Sequence, residues 1–234
     1  MGYSQHWHRP AVIADEVFQS IREDFEKLIL PLGDLGVPLA DGHGRNEPTI
    51  NNEEIRFNGV HDCGHPKCEE ICIPYPLETA RGIGPSHDAI GDCDWTVRLK
   101  YRCCGGSCAH EAFDFPKVSD REVNTRDSRW EPDVSGLVFY WTKTAFKPYD
   151  IAVTAALLIA KRYLREQLVV HSNGLDQQWA DAKELCQQQL GYGDWFAIIE
   201  DPRIELWPGP NGTQIEREVR VRLLVEMDPA GFRL

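Results

Sequence analysis

The chain has 234 residues, 42% of them hydrophobic and 26% charged, with a formal net charge of −12. This length suffices for one domain with a substantial core, or for one domain that carries an inserted subdomain. The acidic balance argues against a dedicated nucleic-acid-binding protein, because phosphate contacts need clustered Lys and Arg. A basic-apolar signal segment and a bilayer-spanning apolar run are both missing from the sequence, so we expect a cytoplasmic protein without a membrane partner.

The first part of the chain predicts a short strand followed by an amphipathic helix. We expect the strand over residues 3–9, with His6 and His8 on one face, where both could reach a ligand. Apolar residues then recur at spacings of three and four, which predicts a helix from Pro10 to about residue 30. These residues are Ile13, Val17, Ile21, Phe25 and Leu28. Residues 32–52 are rich in Gly, Pro, Asp and Asn and predict a long loop.

The next predicted strand, residues 54–58, ends at the turn-forming pair Asn58-Gly59. We expect its partner only at residues 110–115, where Phe113 and Phe115 alternate with polar residues. Residues 60–108 would then be a subdomain inserted into the hairpin loop. This interpretation makes residues 1–59 and 109–234 a single core domain.

The second part of the chain predicts a central helix and a set of strands. Residues 149–170 include a run that is apolar nearly all round, so we place this helix in the centre of the fold. A second helix is expected over residues 175–190, ending at Gly191. Strands are expected over residues 95–101, 137–142, 195–199, 203–207 and 214–227. Without a βαβ rhythm, the class is α+β, an antiparallel or mixed sheet packed on a long helix.

Seven of the eight cysteines lie between Cys63 and Cys108. In a reducing compartment, clustered cysteines favour thiolate metal ligands over disulfides. Tetrahedral zinc needs four ligands in closely spaced pairs, and we assign one structural zinc. The preferred ligands are Cys63, Cys68, Cys103 and Cys108, with Cys104, Cys72, Cys93, His61 and His65 as alternates. Free buried thiols or an oxidised set are the alternative, and the lone Cys186 is expected in the core.

The junction between the strand at 137–142 and the central helix is the first candidate binding site. Lys143, Thr144 and Lys147 supply two cations and a hydroxyl at a helix N-terminus, where a phosphate or carboxylate is favoured. Tyr149 could stack on a ring, and Asp150 could accept a hydrogen bond from a ligand. The alternative is an ordinary helix start with solvated lysines.

Asn58, His110 and Glu111 flank the insertion and could lie at the same end of the sheet as this junction. We therefore add Asn58 to the ligand-binding candidates. His110 and Glu111 are the candidates for general acid–base catalysis. Turn and surface roles for all three residues are the alternative.

Four motifs of the chain are Met1-Gly-Tyr-Ser with Trp7, Ile55-Arg-Phe-Asn-Gly59, His110-Glu-Ala-Phe113 and Lys143-Thr-Ala-Phe-Lys-Pro-Tyr-Asp150. Together they resemble a family of phage and actinobacterial proteins that has no established activity. The resemblance covers residues 1–170 discontinuously. Relatives often carry Phe-Cys where this chain has Trp141-Thr142, which excludes a cysteine nucleophile at that turn. The resemblance implies a phage-associated context, such as counter-defence, and the host cytoplasm as the compartment.

The sequence predicts a binding protein for a small anionic, nucleotide-derived ligand. The first alternative is a phosphoester or nucleotide hydrolase that uses His110 and Glu111. The second alternative is a protein–protein interaction module with a host protein as partner. A nucleic-acid polymer is the least favoured ligand because of the net charge of −12.

Overall fold

A computed structural model of the chain describes residues 3–63, 70–72, 101–103, 106–123, 134, 136–208 and 214–227. The proposed zinc ligands Cys68, Cys93, Cys104 and His65 lie outside these residues, as does most of the strand expected over residues 95–101. None of the helices in the described ranges is both long and apolar enough to cross a membrane.

The described residues form eleven strands and three α-helices. The strands are β1 (Ser4–Arg9), β2 (Leu39–Ala40), β3 (Thr49–Ile50), β4 (Glu54–Gly59), β5 (Glu70–Cys72), β6 (Tyr101–Cys103), β7 (Phe113–Pro116), β8 (Val138–Lys143), β9 (Val169–Ser172), β10 (Phe196–Pro208) and β11 (Gln214–Glu226). The helices are α1 (Asp15–Asp34), α2 (Asp150–Leu164) and α3 (Ala180–Leu190). Short 3-10 turns, Arg165–Gln167 and Asp176–Trp179, follow α2 and precede α3.

The larger sheet has five antiparallel strands in the order β10-β11-β9-β1-β8. In the smaller sheet, β4 pairs with β7 along one edge and with β2 and β3 along the other. A separate two-stranded ladder joins β5 to β6. These helices and sheets confirm the part of the sequence prediction that combined helices with antiparallel strands.

Helix α2 lies at the centre of the fold, as its apolar sequence predicts. Every residue from Asp150 to Ala160 is buried, and α2 packs against both α1 and α3. The same core contains Trp7 and Tyr140 from the larger sheet and Phe57 from the smaller one. Both sheets and all three helices therefore share one core, which fixes their relative positions.

The pairing of β4 with β7 confirms the expected hairpin around the cysteine-rich segment. Phe57 pairs with Phe113, and the Cys108 N–H donates to the Val60 carbonyl at 3.0 Å. A Cβ atom on Gly59 would lie 2.1 Å from the Cys108 carbonyl oxygen, so only glycine fits this approach. The two ends of the segment between residues 60 and 108 therefore meet at one point on the core.

Helix α1 begins and ends later than the sequence pattern predicts. Residues 11–13 are extended because Val12 bridges Val118 and the Ile13 N–H donates to the Lys117 carbonyl, so the helix begins at Asp15 rather than after Pro10. Pro31 lies inside the last turn, and the buried Leu32 holds that turn in place to Asp34.

Two predictions, one of a helix end and one of a pair of strands, were wrong. Helix α2 ends at Leu164, not near residue 170, because Arg165 adopts a positive φ of 49° and the chain turns into β9. Strand β10 runs continuously through Pro202, although the sequence predicted two strands, residues 195–199 and 203–207. Proline is tolerated there because β10 is the edge strand of the sheet, where an N–H is not needed on the outer side.

Candidate functional site

The junction between β8 and α2 is a tight turn whose polar side chains bond to the protein itself. Thr144 and Asp150 are fully buried, and the Thr144 hydroxyl donates to Asp150 Oδ1 at 2.7 Å. Tyr149 is also fully buried, and its hydroxyl donates to the Glu111 carbonyl at 2.6 Å. Burial, together with the nearby Asp150 and Glu111 carboxylates, raises the pKa of Tyr149 far above its usual range.

The two lysines of the turn differ in their surroundings. Lys147 Nζ donates to the Ser107 carbonyl at 2.5 Å, which ties the turn to the end of the cysteine-rich segment. Lys143 is half-buried at the end of β8 and pairs with Ser4 of β1. In a β-sheet, directly paired residues lie on the same face, so Lys143 shares the face of Ser4.

Asn58 acts as a clamp between three backbone segments. Its side-chain oxygen accepts from the N–H groups of Gly59 and His110, at 2.9 and 3.0 Å. Its amide nitrogen donates to the carbonyls of His110 and Gly42, at 3.0 and 3.2 Å. These contacts use all of the ordinary hydrogen-bonding capacity of the amide and explain why Asn58 is 2% exposed.

His110 and Glu111 lie beside this clamp and beside the turn. Both are exposed, and the Glu111 carboxylate accepts a hydrogen bond from the Lys143 N–H at 2.9 Å. Glu111 thus joins the smaller sheet's hairpin to the end of β8. The assignment of an acid–base pair to these two residues stays a prediction.

The described cysteines of the cysteine-rich segment lie where the segment meets the core or in its short ladder. Cys108 is buried beside Val60, and Cys63 is half-buried three residues further along. In the ladder, Cys72 pairs with Tyr101 and Cys103 pairs with Glu70. Among the described residues, no three His, Cys, Asp or Glu side chains are grouped as metal ligands.

A second buried polar cluster joins the helices. Asp24 of α1 accepts hydrogen bonds from the hydroxyls of Tyr163 and Tyr192, both at 2.6 Å, and from Lys27 Nζ at 2.6 Å. Burial raises the pKa of Asp24, but these hydrogen bonds outweigh burial and the net pKa is lowered. The same burial and the Asp24 charge raise the pKa of the fully buried Cys186 thiol. We assign this cluster to the packing of the helices.

The outer face of the larger sheet carries an unusual set of rings. We define this outer face by His6 and His8 of β1, Phe139 and Trp141 of β8, and His171 of β9. The inner face of the same strands is core, since Trp7, Val138 and Tyr140 are at most 1% exposed. Phe139 and Trp141 are 39% and 51% exposed.

The rings of the outer face contact one another across three strands. Phe139 lies 4.9 Å from the His8 ring and 6.0 Å from the His6 ring, between ring centroids. Phe139 also stacks on Trp141 at 5.7 Å, and the His8 and His171 rings are 6.1 Å apart. His6 pairs directly with Trp141 on one side and with His171 on the other, so these three form one row across the sheet.

The three histidines favour the neutral form. Burial lowers the pKa of all three, to about 4 for His8 and His171. Their mutual repulsion adds to this, and Arg203 lowers the pKa of His171 further while Asp201 opposes it. At neutral pH each ring is therefore a neutral donor and acceptor.

A cavity of about 210 Å³ lies beside this row. Leu223 of β11 pairs with His171 of β9, and β11 pairs with β10 along its other edge. The cavity is lined by side chains of β1, β9 and β11 and of the residue after β9, among them His6, His171, Ser172, Asn173, Arg220 and Arg222. Typical pockets for drug-sized ligands are about 300–1,000 Å³, so this cavity suits a small group.

Hydrogen bonds hold the walls of the cavity. Arg222 Nη1 donates to the Asn173 carbonyl at 2.7 Å, and the Ser4 N–H and hydroxyl both donate to Asn173 Oδ1, at 3.2 and 2.5 Å. Since the Ser4 hydroxyl proton is used there, the Ser4 oxygen accepts from His6 Nε2, at 2.8 Å. His6 is thereby fixed as the Nε2–H tautomer when neutral.

The two arginines share one carboxylate. Arg220 Nη1 and Arg222 Nε lie 3.4 and 3.5 Å from the two oxygens of Glu200. These three groups therefore carry a net charge of about +1 at the mouth of the cavity. Sequence reasoning identified His6 and His8 but missed His171, Arg220 and Arg222, because only strand register brings them to β1.

Comparisons with known proteins assign no role to the site, so we interpret it from its own chemistry. No family model, no curated protein and no solved structure matches this chain.

Proposed function

We propose that the protein binds a small anionic ligand in the cavity between β9 and the β10–β11 hairpin. The observation that carries this proposal is the convergence of Arg220, Arg222, His6 and His171 on one small cavity. Guanidinium and imidazole N–H groups are strong partners for phosphate and carboxylate oxygens. The binding function is the one predicted from the sequence, at a different place in the fold.

Local charge supports an anion at this position. The whole chain carries −12, so most of its surface repels anions. The cavity is an exception because Arg220 and Arg222 carry two positive charges against the one negative charge of Glu200. A bound anion would raise the pKa of His6 and of His171, since a neighbouring negative charge favours the charged imidazole.

In this proposal, the turn at the start of α2 mainly supports β1, which carries part of the cavity. Its residues Thr144, Tyr149 and Asp150 are fully buried and bonded within the protein. The Ala145 N–H donates to the Tyr3 carbonyl at 3.0 Å, which places the turn directly against the start of β1. Lys143 remains a candidate for a ligand contact because it lies on the face of Ser4.

Titration calorimetry with inorganic phosphate tests the proposal. We expect saturable binding at pH 6.5, weakened about tenfold or more in Arg222→Gln and in Arg220→Gln, because a hydrogen bond to a charged group contributes about 1.5–3 kcal/mol. Arg220 is 70% exposed at its side chain, so its substitution preserves the fold. Arg45→Gln, in the exposed loop between β2 and β3, is the matched control and should bind phosphate as wild type does. Equal affinities in all four proteins would refute the cavity as the anion site.

A further inference from the structure

The geometry points to a nucleotide as the ligand, with its base on Trp141 and its phosphate in the cavity. This inference rests on the proposed function, because it extends the same anion site along the sheet. The cavity of about 210 Å³ is too small for a whole nucleotide. A ligand that also uses the outer face does not need to fit inside it.

Trp141 provides an exposed aromatic surface at the correct place. It is 51% exposed, although it lies in the middle of a strand. Phe139 stacks on its ring at 5.7 Å, and the Arg121 guanidinium lies 5.3 Å from its centroid. These contacts hold the ring in one orientation, so little side-chain freedom is lost when a base stacks on the remaining surface.

The spacing between Trp141 and the cavity matches the parts of a nucleotide. Trp141, His6 and His171 are consecutive across β8, β1 and β9, and neighbouring strands are about 4.8 Å apart. Trp141 and His171, which lines the cavity, are therefore separated by about 10 Å, or two strand spacings. A ribose bridges a separation of this kind between base and phosphate, and His6 lies midway beneath it.

A ligand with a flat ring explains features of the outer face that an inorganic anion alone does not explain. Phosphate alone needs the arginines and the histidines that line the cavity. It does not need Phe139 and Trp141, two of the large hydrophobic side chains that remain exposed on the described surface. Phe139 stacks on Trp141 and also contacts the His6 ring edge-on and the His8 ring at a tilt, and His6 in turn lines the cavity.

Calorimetry with three probes tests the inference: inorganic phosphate, adenosine and adenosine monophosphate. Stacking on an aromatic side chain contributes about 1–3 kcal/mol per base, so the monophosphate should bind at least about fivefold more tightly than phosphate. Trp141→Leu should remove this advantage and leave phosphate affinity unchanged, whereas Trp141→Phe should retain most of it. Adenosine alone should bind more weakly than the monophosphate.

The outcomes separate this inference from the proposed function. If phosphate and the monophosphate bind equally, and Trp141→Leu changes neither affinity, the nucleotide inference is overturned while the anion site stands. If the monophosphate depends on Trp141 but not on Arg220 or Arg222, the cavity is not the phosphate site and the proposed function fails. If no probe binds to wild type, both fail.

Discussion

Ala145 and Phe146 lie consecutively in the left-handed region of backbone space, at φ values of 51° and 55°. Each non-glycine residue in this region costs about 1–2 kcal/mol. The turn persists because the Lys147 N–H donates to the Thr144 carbonyl and because the Phe146 ring packs edge-on against Tyr3 at 4.9 Å. The strained residues lie in the turn that supports the proposed site, and they do not line its cavity.

Replacing Ala145 with glycine should relieve part of this strain. We expect Ala145→Gly to raise the free energy of unfolding by about 0.5–1 kcal/mol, since the entropy that glycine adds to the unfolded chain offsets only part of the gain. Ala180→Gly is the control, because Ala180 has an ordinary φ of −56° and should lose about 0.5–1 kcal/mol. Urea denaturation measures both changes. Equal destabilisation by the two substitutions would contradict a strained turn.

At the residue scale, the sequence could identify side chains suited to anions but not their accessibility. Lys143 and Thr144 are chemically appropriate, yet Thr144 is buried against Asp150. His6 and His8 were correctly placed on one face of a strand because that prediction needs only the period-two geometry of β-structure. Arg220 and Arg222 are more than 200 residues away in the chain, and no local pattern connects them to His6.

The elements β1 and β9 bring the histidines together, and this pairing makes stability depend on pH. The pKa of His8 is lowered to about 4 by burial and then by His6, against 6.5 for the ordinary group. Below pH 6.5 the unfolded chain therefore binds protons that the folded protein does not bind. The stability that neutral His8 contributes is complete above pH 6.5 and is lost as the pH falls toward 4.

We expect His8→Gln to lose less stability between pH 7 and pH 4.5 than wild type does. The difference should be at most about 3 kcal/mol, which is the free energy of the full pKa shift. Urea unfolding midpoints across this pH range measure it. His43→Gln, in the exposed loop between β2 and β3, is the control and should keep the wild-type pH dependence. A wild-type slope in His8→Gln would contradict the burial of a neutral imidazole.

At the element scale, strongly periodic segments were predictable and their ends were not. The central position of α2 followed from its apolar sequence, and α3 ends at Gly191, in the left-handed conformation, as expected. Strand β9 was missed because it follows α2 after a single 3-10 turn, and its first two residues were assigned to the predicted helix. The β-branched pair Val169-Val170 was the available signal for this strand.

At the scale of the whole molecule, the cysteine-rich segment leaves and rejoins the core at Val60 and Cys108. We propose that one structural zinc holds this segment, with Cys63, Cys68, Cys103 and Cys108 as preferred ligands. Protein purified under reducing conditions should contain about one zinc per chain by elemental analysis. Chelation should lower the melting temperature, because binding of a structural zinc contributes to folding free energy. Metal-free protein in which all eight cysteine thiols react would contradict this proposal.

The whole molecule also has a charge distribution that makes the cavity distinctive. With 37 acidic and 25 basic residues, the chain carries an excess of negative charge, yet two arginines and two histidines meet at one junction of the larger sheet. The composition predicted the excess of negative charge. The meeting of these four side chains depends on the register of β11, β9 and β1. The anion site that we propose therefore depends on the topology of the larger sheet.

Nuclear magnetic resonance of the histidine rings during a phosphate titration tests the anion site most directly. Variants His6→Gln and His171→Gln assign the two resonances. We expect saturating phosphate to shift the resonances of both rings and to raise the pKa of both, because a bound anion favours the charged imidazole. The exposed His43 should not respond. Unchanged His6 and His171 resonances, or equal shifts at His43, would contradict an anion site in this cavity.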